Sequence, residues 1–132
     1  MQIQDKTVLN VLSGILLDAS LTVHKEMGPG LLESVYHNCL EQELTTRKVK
    51  FSRFVPVPLI YKGKALNKDY LIDLLVEDSI VVEIKAVEGL LPVHDAQIIS
   101  YLKLSNRRLG FLINFNVPLL KEGFRRFVNN FS

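Results

Sequence analysis

The segment Asp73-Leu-Leu-Val-Glu-Asp-Ser-Ile-Val-Val-Glu-Ile-Lys85 holds the residues of this chain best suited to chemistry. Branched apolar residues run on both sides of a polar, turn-forming centre, Glu77-Asp78-Ser79, which predicts a β-hairpin. A fold-back centred on Asp78 sets Asp73 directly opposite Glu83. Side chains alternate along a strand, so Glu83 and Lys85 share a face with Asp73, and Ile72, Leu74, Val76, Ile80, Val82 and Ile84 take the other. Two acids facing each other on a sheet repel, with Cβ atoms roughly 5 Å apart. A lysine together with a divalent metal would offset that repulsion, and the chemistry open to such a cluster is metal-dependent phosphodiester hydrolysis. The plain competing explanation is solvated surface charge. Against it stand the flanks: Val81-Val82-Glu83-Ile84 reads as a strand covered on both faces, and covered carboxylates must be paired or bind a metal.

The elements that must position these residues follow from periodicity. Val8, Leu12, Ile15, Ala19, Val23 and Met27 recur at helical spacing from about Lys6 to Met27, and Gly28-Pro29-Gly30 breaks the pattern. A second helix is expected from Leu31 to Arg47, with Leu32, Val35, Cys39, Leu40 and Leu44 inward. A strand from Phe51 to Tyr61 turns at Lys62-Gly63-Lys64 and returns into the Asp73 strand, with Pro56 and Pro58 marking an edge. Pro92 opens a third helix to about Leu104. A strand from Leu109 to Asn114 and a last helix from Pro118 to Asn129 complete an αα-βββ-α-β-α order, an α/β sandwich by pattern.

Composition sets bounds on the rest. The 132 residues, 48% hydrophobic and 23% charged, suit a single domain, 1–132, with one core. No run of about 18 uninterrupted apolar residues signals a membrane span, and the first residues carry no signal-peptide pattern, so a cytoplasmic protein without a membrane partner is expected. The lone Cys39 reads as a buried structural thiol. A net charge of +2 does not announce nucleic-acid binding, but its distribution is uneven. Seven basic residues and no acid lie between Arg47 and Lys68, and Arg107, Arg108, Lys121, Arg125 and Arg126 form a second group. Either group could track a phosphate backbone or serve as solvated surface. Phe111, Phe124, Phe127 and Phe131 suit either a core or a homodimer interface.

Two helical constellations accompany the hairpin. Glu33 and Tyr36 stand three apart at the start of the second helix, where Glu33 also suits the helix dipole. Gln97 and Tyr101 stand four apart on the third, a spacing equally fit for a solvated stripe. His37 and His94 read as surface or packing residues, and His24 as a cap on the first helix.

Taken together, these residues carry a resemblance. Gly30-Leu-Leu-Glu33-Ser-Val-Tyr36 resembles the signature of the GxxExxY protein family. Asp73, Glu83-Ile84-Lys85 and Gln97-Ile-Ile-Ser-Tyr101 resemble the acidic, E-x-K and Q-x-x-x-Y motifs of the PD-(D/E)XK nuclease superfamily, in its RecB-like branch. The likeness runs from about His24 to Arg126. It implies a restriction-endonuclease-like fold, a central mixed sheet flanked by helices, acting on nucleic acid, DNA foremost. It further implies that Asp73, Glu83 and the backbone carbonyl of Ile84 bind Mg²⁺ or Mn²⁺, whose water becomes the nucleophile. Lys85 would then orient that water and stabilise transition-state charge. Glu33 would steady Lys85 or reach the metal through water, and Gln97 and Tyr101 would hold the substrate strand or the carboxylates. A weakly catalytic nucleic-acid-binding module, or a protein-interaction module on the same fold, is the alternative.

Overall fold

Asp5 opens the first helix by accepting hydrogen bonds from the backbone N–H groups of Thr7 and Val8, and Gly28 closes it. The computed structural model describes residues 1–131. Among these, α1 (Lys6–Met27) and α2 (Glu33–Thr46) precede β1 (Phe51–Tyr61), β2 (Lys64–Val76) and β3 (Ile80–Lys85). Then come α3 (Pro92–Ser105), β4 (Leu109–Asn114), a 3₁₀ turn at Leu120–Glu122, and β5 (Phe124–Val128). The five strands form one sheet in the order β1-β2-β3-β4-β5. Only β3 and β4 are parallel, joined by the α3 crossover; the other neighbours are antiparallel.

The sheet separates two apolar layers. Leu9, Leu16, Ala19 and Val23 of α1 and Tyr36, Leu40 and Leu44 of α2 pack on Leu74, Val76, Val82, Ile84 and Phe111. On the other face, Ile98, Tyr101 and Leu102 of α3 pack on Val57, Ile72, Leu75, Val81 and Leu112. β3 is therefore covered on both sides, as its unbroken apolar run predicts. By length and composition α1 could cross a membrane, yet its inner face builds this core.

Two expectations are corrected here. The segment after Pro118 is not a helix but a 3₁₀ turn and β5, so the order ends in a strand. A helix would set Phe124 and Phe127 on one side, whereas a strand sends them to opposite faces. The sheet has a core on each face, and Phe124 packs into one while Phe127 packs into the other. Pairing β5 with β4 also occupies what would be an open edge. Phe111 is buried in the α1–α2 layer too, and Phe131 packs against it partly buried, so all four rings take part in the two cores. The second correction concerns Ile72, which joins Leu75 and Val81 on the α3 side rather than Leu74 on the other. The strand is irregular at the residue between them, Asp73.

The basic tract divides as well. Arg47 is paired with Asp18 and Glu43, and Arg53 with Glu41. In the second group Arg107 pairs with Asp78 and Arg125 with Asp95. These arginines hold elements together; Lys62, Lys64 and Lys68 form no ion pair among the described residues.

Candidate active site

The β2–β3 ladder pairs Val76 with Ile80, Leu75 with Val81 and Leu74 with Val82, which centres the turn on Asp78. Carried one step further, that register sets Asp73 against Glu83. There the side chains take over from the backbone: the Asp73 N–H donates to Glu83 Oε2 at 2.8 Å, and the Ile84 N–H donates to Asp73 Oδ2 at 2.8 Å. Each carboxylate thus spends one oxygen on the opposite strand, and its other oxygen accepts no hydrogen bond among the described residues. On the other side of β2 the ladder skips a pair too, at Phe54 and Asp73. Phe54 has φ of 50°, a left-handed conformation that a bulky residue adopts only under strain. Backbone pairing thus lapses at Asp73 toward both neighbours while the register holds, and its carboxylate reaches across to the Ile84 N–H of β3.

Burial makes the pair electrostatically tense. Glu83 is 3% exposed. That burial, reinforced by Asp73, pushes its carboxyl up to about 8, against the opposing pull of the Asp73 N–H and Lys85. Asp73 is raised as well, by burial, with the Ile84 N–H, Lys85 and His37 pulling the other way. In the metal-free protein the surroundings of Glu83 thus favour its protonated form. Half-buried Lys85 is the nearby cation that both acids feel. Its strand is tied down by Phe115, whose N–H donates to the Lys85 carbonyl at 3.0 Å. Buried Asn114, the register partner of Lys85, fastens the loop beyond by bonding Val87 through both N–H and C=O.

The third acid arrives from α2, and the Gly30–Tyr36 segment shows how. Gly30 takes φ of 96°, which favours glycine, and turns the chain into the helix. Tyr36, fully buried and stacked on Phe115 at 4.8 Å, donates its hydroxyl to Gly28 O at 2.6 Å and accepts from Leu31 N–H at 3.1 Å. The tyrosine thus pins the loop that delivers Glu33 as the first residue of α2. Glu33 is exposed at the rim, its carboxyl raised by partial desolvation and by Asp73 while Lys85 and His37 lower it.

One contributor goes beyond the sequence reading. Of the two readings open to His37, surface or packing, the structure takes packing: it is 7% exposed. It bonds Glu41 at 2.7 Å and stacks on Phe54 at 5.0 Å, while Arg53 forks Glu41 at 2.6 and 3.0 Å. Together with Glu33, Ser34, Asn38 and Asp73 these residues line a cavity of about 600 Å³ between α2 and β1. The signal was present: Glu33, His37 and Glu41 recur every four residues, one stripe of a helix. A larger hollow of about 820 Å³ lies at the turn end of the sheet, by Lys48, Phe51 and Asp78, and touches none of Glu33, Asp73 or Glu83.

From the other face α3 presents Tyr101, 3% exposed, its hydroxyl pushed up to about 12 by burial and then by Glu83 and Asp73. Its ring tilts against Tyr70 at 5.4 Å. Gln97 is half-buried one turn earlier and makes no side-chain hydrogen bond among the described residues. His24 and His94 serve structure. His24 bonds the Val117 carbonyl at 2.7 Å, which ties α1 to the chain after β4, and His94 Nδ1 accepts from Leu91 N–H at the start of α3.

Among the described residues, no three His, Cys, Asp or Glu side chains gather into a ready-made metal cage. The donors present still fit a magnesium-class ion, which takes one or two carboxylates and keeps several waters. Asp73 and Glu83 offer one free oxygen each. The Ile84 carbonyl points to the same side of β3 as its N–H, toward Asp73. A divalent cation would also offset the burial and the Asp73 charge that raise Glu83.

Residues 10–127 match the family model of the PD-(D/E)XK nuclease superfamily, and the chain belongs to that superfamily. Its three helices and five-stranded mixed sheet agree with a restriction-endonuclease-like fold. Neither the curated proteins nor the solved structures compared with the chain give a match.

Proposed function

We propose that this chain is a metal-dependent nuclease of the GxxExxY group, in the RecB-like branch of its superfamily, which hydrolyses DNA in the cytoplasm. The observation that carries this reading is the reciprocal bonding of Asp73 and Glu83 beside Lys85. Two carboxylates buried against each other destabilise a fold that has no use for them. Asp73, Glu83 and the Ile84 carbonyl would hold Mg²⁺ or Mn²⁺, which supplies a water of lowered pKa and screens phosphate charge when bound. The Lys85 ammonium orients the attacking water toward phosphorus and stabilises negative charge on the phosphate oxygens in the transition state. Glu33 steadies Lys85 from the α2 side. Gln97 and Tyr101 hold the substrate strand along the α3 side, with the Tyr101 hydroxyl staying protonated as a donor.

The test is cleavage of end-labelled single- and double-stranded DNA, and of RNA, in Mg²⁺ or Mn²⁺, beside Lys85→Ala prepared identically. The wild type should cut DNA and Lys85→Ala should fall by roughly two to three orders of magnitude. Equal activity of the two proteins, or none in the wild type, would sink the nuclease reading and favour a binding module.

A further inference from the structure

The outer half of the β1–β2 hairpin leaves the body of the protein. Every residue from Ile60 to Leu71 is exposed, including Ile60, Tyr61, Leu66, Tyr70 and Leu71 at between 43% and 61%. A two-residue turn closes it at Lys62 (φ 49°) and Gly63 (φ 77°), both left-handed, which matches the twist of a tight hairpin. A two-stranded ribbon with no core face is marginal by itself, and large apolar side chains along it signify a binding surface.

Its charge says what it binds. Lys62, Lys64 and Lys68 have no ion-pair partner among the described residues, and Asp69 is the sole acid of the arm. Its root runs into the acidic site: Tyr70 stands on β2 three residues before Asp73, and its ring lies against Tyr101. A second copy of the chain is a poor occupant. β1 is an edge strand, but Pro56 and Pro58 lack the N–H groups that edge pairing needs, and two such arms side by side would crowd their lysines.

We propose that this arm binds single-stranded nucleic acid and leads it to the acidic site. The proposal rests on the nuclease reading of that site. Lys68, Lys64 and Lys62 contact successive phosphates, and Tyr70 and Tyr61 stack unpaired bases, which only a single strand presents. From Tyr70 to Lys64 the strand extends roughly 20 Å, room for a short run of nucleotides. Lys62 Nζ lies 5.5 Å from the Tyr61 ring centroid, so charge and stacking surface coincide at the tip. DNA and RNA single strands share this chemistry.

The test is fluorescence anisotropy of labelled oligo-dT, oligo-U and a DNA duplex, without metal, across a salt series. Wild type is compared with the triple variant Lys62→Gln/Lys64→Gln/Lys68→Gln and with Tyr61→Ala, and hydrolysis of bis(4-nitrophenyl) phosphate with Mn²⁺ is followed in parallel. Single strands should bind better than the duplex. The triple variant should lose about two units of salt slope and roughly 100-fold in affinity at 0.1 M salt. Tyr61→Ala should weaken single-strand binding about fivefold or more with the salt slope kept. Both variants should melt with the wild type and hydrolyse the small diester as it does, since that substrate does not reach the arm. Unchanged affinity and slope overturn the arm even if the diester is cut. So does a variant that changes oligomeric state instead of affinity, which makes the arm a self-association surface. Loss of strand binding in a protein whose wild type cuts no diester keeps the arm and removes the nuclease.

Discussion

The two halves of β2 share one backbone and little else. Inward of Asp73, Leu74, Leu75 and Val76 are buried between helices, alternate cleanly, and keep an ordinary ladder with β3. Outward, Lys64 to Leu71 are exposed, and Tyr70 meets the α3-side core where its ring lies against Tyr101. Asp73 lies near the boundary, where the ladder parts on both sides and carboxylates replace backbone partners. The difference shows what such a boundary offers to chemistry. Charges one step into the core interact strongly because water is largely excluded, while a substrate one step outside can still reach them.

The largest effect expected from breaking this contrast is on the inner half. Leu74→Ala should cost about 2–5 kcal/mol in urea unfolding, while Leu71→Ala should stay within about 0.5 kcal/mol. Similar costs for the two would erase the division of the strand.

Next in size is the response to pH. Glu83 and Asp73 are both raised in the fold, so their contribution is complete below the unfolded values near 4. It is lost as pH climbs through the folded range, up to about 8 for Glu83. Metal-free protein should therefore lose on the order of a few kcal/mol between pH 5 and 9. Glu83→Gln should flatten that fall and be the more stable protein at pH 9. Asp78, lowered by Arg107, acts in the opposite sense and only on the acid side, so it does not confuse this window. A wild-type stability that is level or rising from pH 5 to 9 contradicts the tense pair.

A smaller effect belongs to the loop before α2. Tyr36→Phe removes the bond to Gly28 and leaves Leu31 N–H without its partner, which should cost about 1–2 kcal/mol. Because the same loop places Glu33, cleavage should fall further than stability explains. A variant with lowered stability and full activity would separate the tyrosine from the site.

Much of the site could be read from the chain because it depends on local rules. The turn residues Glu77-Asp78-Ser79 fix the register that sets Asp73 against Glu83, and alternation then brings Lys85 alongside. Alternation failed one residue beyond, at Ile72, beside the point where the Asp73 carboxylate reaches across to the Ile84 N–H of β3. The last element failed for a tertiary reason. Phe124 and Phe127 are three apart, which suits a helix face, and only a sheet with a core on both sides rewards sending them apart. The part His37 takes in the cavity was not legible because it depends on Phe54 of β1, which stacks on it, and on Arg53, which forks its partner Glu41. The arm's exposure was equally hidden, since nothing in its residues tells which part of a hairpin overhangs the core.

The most direct test of the central claim, that Asp73 and Glu83 are paired to hold a divalent cation, is thermal unfolding at pH 8 across millimolar Mn²⁺ and Mg²⁺. Wild type, Asp73→Asn and Glu83→Gln are measured together. The account predicts a melting temperature that rises with metal in the wild type, rises less at pH 6 where protons compete, and stays level in both variants. A wild-type melting temperature indifferent to both ions, or one that rises equally in all three proteins, would contradict it.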